Sequence, residues 1–286
     1  MSICSVVVLF LLANLPQSEG YISHGFYDFL KLRFGKEYAN NVARYDYGPL
    51  GSFGGGMHRA GTKTNKTPVV FVAGWLSTAS FSWPAVTTWL MHGYTMEELY
   101  STSYGIPVLG VASIHWGLEC HYVNATRTMI KAVAEFTNST VNVIAYSMGG
   151  PVSRKAILGG KCVDTQEDLG PPLTHLVNVY LGVGGANNGA LGCLVPAPGV
   201  CSLNNGMFCL SSYIRDINSV KRYEGKTIYV LQSSTDELVG YWLCGKHAAD
   251  IEGSNRTVTL FGFEHLALCT ITPFQQYNLI HKGSLL

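Results

Sequence analysis

The chain has 286 residues, of which 13% are charged and 47% hydrophobic, with a formal net charge of +1. That length provides one large domain with a substantial core. The near-neutral balance excludes a concentrated basic surface, so nucleic-acid binding is not expected.

The N-terminus opens with an apolar run from Ile3 to Leu15. It is too short to span a bilayer, which takes about 20 apolar residues. Small and polar residues follow, and Ser18-Glu19-Gly20 offers a cleavage site before Tyr21. Residues 1–20 therefore read as a signal peptide, although no Lys or Arg precedes the apolar run. No later segment is long or apolar enough for a transmembrane span. Beyond Cys4 there are Cys120, Cys162, Cys193, Cys201, Cys209, Cys244 and Cys269. An odd set in a secreted chain allows up to three bridges with one thiol over, and sequence alone leaves the pairing open. Cys193, Cys201 and Cys209 are expected to staple a loop, since their spacing matches no zinc pattern. Sequons at Asn65, Asn124, Asn138 and Asn255 agree with a secreted, extracellular glycoprotein.

Residues 21–67 read as an N-terminal arm. Phe26, Phe29, Leu30 and Leu32 have helical spacing, and Gly51, Gly54, Gly55 and Gly56 suggest a flexible arm or turn, with no Gly-Lys-Ser/Thr ending to make a phosphate loop. From Pro68 onwards, residues 68–286 read as a single α/β domain. Val69 to Ala73 is an apolar strand of the kind buried on both faces of a parallel sheet. A helix over 84–92, a short helical turn at Met96–Leu99 and an apolar segment Ile106–Ile114 follow. Then come a helix over Arg127–Phe136, a strand over Val141–Ala145 and a helix after Pro151. Strands at Leu176–Val183, Thr227–Gln232 and Thr257–Phe261 precede a closing helix at Pro273–His281. This alternation predicts a mostly parallel sheet with helices on both faces.

The most informative stretch is Val141-Asn142-Val143-Ile144-Ala145-Tyr146-Ser147-Met148-Gly149-Gly150. A strand ends at a serine on a sharp turn, small residues stand two before and two after it, and a helix follows. That is the outline of a nucleophile elbow, and it implies a serine hydrolase acting on esters. Such a serine needs a base, and the base needs a carboxylate to orient it. In α/β-hydrolases the order is Ser, acid, then His. His24, His58, His92, His115 and His121 precede Ser147, His175 falls at the opposite end of the sheet, and His281 lies in the closing helix. Of His247 and His265, the latter follows the last strand and is the expected base. Asp236, leading out of the strand over 227–232, is the expected acid, with Glu237 its nearest competitor. The oxyanion donors are expected to be the N–H groups of Met148 and of Trp75, after the first core strand, with Gly74 allowing close approach.

With these residues in place, the chain resembles the class 2 lipases, and more closely their secreted nematode relatives. The resemblance rests on Ala145 to Gly150, on Leu181-Gly182-Val183-Gly184-Gly185-Ala186-Asn187 and on Ser233-Ser234-Thr235-Asp236. Arg154-Lys155-Ala156-Ile157-Leu158-Gly159-Gly160 and Arg222-Tyr223-Glu224-Gly225 look like the nematode branch. The family usually has His-Gly after its first core strand, where this chain has Ala73-Gly74. The resemblance implies a hydrolase of triacylglycerol or another acyl ester, needing no cofactor and no metal, and able to adsorb at a lipid–water boundary. Leu76, Phe81, Trp83 and Leu266, with Trp75 and Met148, are candidates for the acyl-binding wall, and the Cys193–Cys209 loop for a small lid or rim. The alternatives are a short-chain esterase, an acyltransferase with the same triad, or a secreted binding protein that kept the fold and lost the reaction.

Overall fold

The computed structural model describes residues 21–105 and 115–286. The expected signal peptide and the apolar segment at 106–114 lie outside the described residues.

Seven strands form the main sheet: β1 (Ser52–Phe53), β2 (Val69–Val72), β3 (Leu99–Thr102), β4 (Val141–Tyr146), β5 (Val177–Val183), β6 (Thr227–Ser233) and β9 (Arg256–Leu260). Their order is β1-β3-β2-β4-β5-β6-β9, and among the described residues only β1 runs antiparallel to its neighbour. A separate two-strand ribbon pairs β7 (Trp242–Leu243) with β8 (Lys246–His247).

The strand period of two decides which helix covers which face. Val70, Val72, Val143, Ala145 and Tyr180 point into one core. There they meet α1 (His24–Phe34), α2 (Lys36–Ala43), α4 (Cys120–Phe136), α5 (Gly149–Leu158) and α6 (Ser212–Ile217). Val69, Phe71, Ile144, Tyr146 and Leu181 point into the other, beneath α3 (Trp83–Met91), α7 (His265–Ile271) and α8 (Pro273–Lys282). Burial on both faces is why β2 and β4 read as unbroken apolar runs.

Three local expectations are corrected. Of the flexible arm or turn expected at the glycine-rich stretch, the turn is found, with Gly54, Gly55 and Gly56 at positive φ, but not the arm: Ser52 and Phe53 pair with Thr102 and Ser101, and α1 and α2 pack on the core. The helical turn at Met96–Leu99 stops short, and Leu99 instead begins β3, parallel to β2. Helix α4 starts at Cys120 rather than Arg127, because a distant residue caps it: the Cys120 N–H donates to Asp164 Oδ2 at 2.8 Å.

Among the described residues the cysteines pair as Cys120–Cys162, Cys193–Cys201 and Cys209–Cys244, leaving Cys269 as a buried free thiol. No helix among the described residues is long and apolar enough to cross a membrane.

Candidate active site

The site forms at the C-terminal ends of β4, β6 and β9. Ser147 follows β4 directly and holds φ at 53°, in the left-handed region that costs an L-residue about 1–2 kcal/mol. Its backbone is fixed from both sides. Ser147 N–H donates to Val183 at 3.1 Å, and its carbonyl accepts from Gly150 at 2.9 Å. The turn closes only because Gly149 lacks a side chain, as a Cβ there would stand 2.4 Å from the Ala73 carbonyl oxygen and 2.5 Å from that of Val72. Both contacts are backbone and cannot swing away. Gly149→Ala should therefore push α5 off β2, lowering stability by about 1–3 kcal/mol and reducing turnover, as thermal melting and an ester assay would show.

Asp236 leaves the end of β6 in a tight turn. Its Oδ1 accepts the N–H groups of Leu238, Val239 and Gly240 at 3.1, 2.8 and 3.3 Å. Three donors orient the carboxylate, and Oδ2 is left for His265 Nδ1 at 2.7 Å. His265 Nε2 in turn lies 2.9 Å from Ser147 Oγ. Both Asp236 and His265 are buried. The acid and base loops are tied together by the rest of the Ser233-to-Asp236 segment. The Ser233 and Thr235 hydroxyls donate to the Phe263 carbonyl at 2.6 and 3.1 Å, and Gly262 N–H donates to Thr235 Oγ1 at 3.1 Å. This geometry can draw a proton from the serine and hold the resulting imidazolium against a fixed carboxylate.

Glu237, the competitor for the acid position, has another task. Its Oε2 accepts the backbone N–H of His265 at 2.8 Å. It thereby satisfies the first free donor of α7 and fixes the backbone that carries the imidazole. The preference for Asp236 over its neighbour was readable in the sequence; the bond from the His265 N–H to Glu237 was not. His247 is elsewhere, tilted against Tyr241 and edge-on to Trp242 in the β7–β8 ribbon. Cys269 sits one turn beyond His265, and burial, reinforced by Asp236, pushes its thiol pKa up and keeps it protonated.

Met148 and Trp75 both border a cavity of about 20 Å³, together with Gly74, Leu76 and Tyr104. Among the described residues neither backbone N–H has an intramolecular acceptor. Gly74 lies against the serine, with room for no Cβ: one would come within 2.9 Å of Ser147 Cβ. Leu76 holds φ at 58°, a second left-handed residue beside the site. The remaining candidates for the acyl wall disperse. Phe81 stands edge-on to Tyr146, Trp83 packs on Phe53 of the edge strand, and Leu266 is exposed beside His265.

The segment entering the Cys193–Cys209 loop packs beside the acid turn, and the loop itself reaches the start of α4. Leu191 N–H donates to the Val239 carbonyl at 2.9 Å, and Leu118 N–H to that of Asn205 at 2.6 Å. Leu194, Val195 and Leu203 on this loop are exposed, as are nearby Leu238 on the acid turn and Trp242 on the disulfide-linked ribbon.

Residues 66–278 match the family model described as Lipase (class 2). No curated protein matches the chain. Among solved structures, Aspergillus fumigatus lipase B is similar at 14% identity and a TM-score of 0.58, covering 92% of this chain and 64% of that one. The present chain thus spans under two thirds of that protein's length. Bacillus licheniformis lipase BlEst2 in its mature form is similar at 13% identity and a TM-score of 0.53, covering 77% of this chain and 92% of that one. At such identities the likeness is one of fold, and the fold is that of the α/β-hydrolases.

Proposed function

Because the chain belongs to the class 2 lipase family, we propose that it is a carboxylic ester hydrolase, a secreted lipase using Ser147, His265 and Asp236 as its catalytic triad. The observation that carries this reading is the unbroken relay from Ser147 Oγ through His265 to Asp236, at 2.9 and 2.7 Å.

In the proposed reaction His265 Nε2 accepts the Ser147 proton as Oγ bonds to the ester carbonyl carbon. The carbonyl oxygen takes the negative charge, and the Met148 and Trp75 N–H groups donate to it. The tetrahedral species collapses, the alcohol departs with the proton held by His265, and Ser147 keeps the acyl group. Water then gives a proton to His265 and attacks the acyl carbon, releasing the acid and restoring the serine. No step calls for a cofactor.

A lipid acyl ester such as triacylglycerol is favoured over a small soluble ester by the exposed apolar residues around the site, namely Leu194, Val195, Leu238, Trp242 and Leu266. They suit adsorption at a lipid–water boundary, with the stapled loop as a rim. Secretion is supported by three disulfides, which persist in oxidising compartments. For N-glycans, Asn65, Asn138 and Asn255 are exposed. Asn124 is a poorer acceptor once folded, since its Nδ2 donates to Glu167 at 2.7 Å and Thr126 of its sequon is buried.

The test is hydrolysis of short- and long-chain acyl esters, each below and above its solubility limit, by wild type and Ser147→Ala. The lipase reading expects long-chain turnover that rises when substrate forms an interface and disappears in the variant. Turnover confined to dissolved short esters would select the esterase alternative. A folded wild type inactive on every ester would leave a binding protein.

A further inference from the structure

The loop expected to supply the second oxyanion donor begins where the chain leaves β2, at Ala73-Gly74-Trp75. Gly74 is required there by the approach to Ser147, and a glycine leaves the peptides on either side free to swing. Something outside the loop must fix them. The Gly74–Trp75 peptide has one long turn bond, from Ser77 N–H to the Gly74 carbonyl at 3.4 Å. Ala73 brings no polar side chain of its own. The Ala73–Gly74 peptide is instead held from a distance, because the Tyr104 hydroxyl donates to the Ala73 carbonyl at 2.8 Å in a buried bond.

Tyr104 is itself firmly placed. It follows β3, is 5% exposed, and sets its ring 5.6 Å from that of Tyr122. Arg44 grips the backbone on both sides of it: Nη1 donates to the Ser103 carbonyl and, at 2.7 Å, to the Gly105 carbonyl. The guanidinium is held in turn by Asp46 at 2.9 Å and lies 4.2 Å from the Tyr47 ring centre. Burial pushes the Tyr104 phenol pKa up, so the group stays a donor. Arg44 lies outside the residues 66–278 that match the family model.

We propose that Tyr104 is a positioning residue for the oxyanion loop, its hydroxyl anchoring the Ala73–Gly74 peptide so that the Trp75 N–H faces the developing oxyanion. The Arg44 clamp, contributed by the N-terminal residues, keeps that hydroxyl in place. The inference rests on the triad and oxyanion reading given above.

Tyr104→Phe keeps the ring and removes only the hydroxyl. Wild type, Tyr104→Phe, Arg44→Met and Ser147→Ala are compared on a soluble p-nitrophenyl ester. Rates are taken per active site, counted by fluorophosphonate labelling run to completion. An oxyanion donor contributes roughly 10²–10³ in kcat, so misaligning one should lower kcat roughly 10–100-fold while KM stays within about twofold. Affinity for a boronic acid, a tetrahedral mimic of the transition state, should weaken by about the same factor as kcat/KM. Arg44→Met should act in the same direction by a smaller factor, and it reads the clamp even if Tyr104→Phe fails to fold. A purely structural role would lower melting temperature and the labelled fraction but leave kcat per site intact. Wild-type kcat and boronic acid affinity in the folded variants, with Ser147→Ala inactive, would overturn the proposal alone. Ester turnover by Ser147→Ala would bring down the nucleophile assignment and the proposal with it.

Discussion

Replacing His265 by alanine should lower kcat for ester hydrolysis by roughly 10⁶, while the protein stays folded. Among the described residues the imidazole is the only group bonded to both Ser147 Oγ and Asp236 Oδ2, at 2.9 and 2.7 Å. Without it the serine keeps its proton at neutral pH and is a weak nucleophile. Folding should survive, because three backbone donors still hold Asp236 Oδ1 and the helix start is fixed through the backbone bond to Glu237. Asp236→Asn should cost less, about 10⁴ in kcat, by leaving the ring in the wrong tautomer. The three groups act as one unit, so Ser147→Ala with His265→Ala should be little slower than either alone. Circular dichroism and fatty-acid release by titration check both halves of the expectation. A His265→Ala enzyme within tenfold of wild type would mean that the base lies elsewhere.

The largest expected loss of stability is at a different place, beneath the nucleophile helix. Arg154 of α5 is 1% exposed and Glu224 is 0% exposed. The guanidinium gives both Nε and Nη2 to Glu224 Oε1 at 2.9 Å, Nη1 to Asn218 Oδ1 at 2.9 Å, and Nη2 to the Ile217 carbonyl at 2.9 Å. Glu224 Oε2 has no partner among the described residues, so the pair is not fully satisfied. Glu224→Ala strands a buried cation and should destabilise by about 3–5 kcal/mol. For a domain of this size that corresponds to roughly 6–20 °C in melting temperature. The double change Arg154→Met with Glu224→Leu should restore most of the loss, since both desolvation penalties disappear together. Scanning calorimetry of Glu224→Ala, Arg154→Met, Glu224→Leu and the double variant separates these terms. A Glu224→Ala protein melting with wild type would show that water reaches Arg154.

Legibility followed the range of the interaction. Val69–Val72 and Val141–Tyr146 were readable as strands because burial on both faces leaves a continuous apolar signal. Ser52–Phe53 carries no such signal, being too short, and exists as a strand only through its pairing with β3. Helix α4 starts at Cys120, ahead of the Arg127 that the sequence suggests, because its cap, Asp164, is supplied from beyond the next helix. Arg154 and Glu224 stood in two separate segments of the sequence resemblance, and nothing in either showed that they form one buried pair.

The site divides in the same manner. The elbow around Ser147 is a local device: a strand, a strained turn and a helix, with Gly149 where backbone crowds the turn. Chain order together with position just after a strand then selected Asp236 and His265, and folding brings the three side chains into one relay. The sequence by itself determined these local elements and their order, because propensity, turn sterics and periodicity act within a few residues. Only the tertiary structure decided that Glu237 accepts the His265 N–H, that the Tyr104 hydroxyl reaches the Ala73 carbonyl, and that Arg44 holds the backbone beside Tyr104. Each is a hydrogen bond between side chain and backbone far apart in sequence, and its distance and direction exist only once the sheet has set where the loops end.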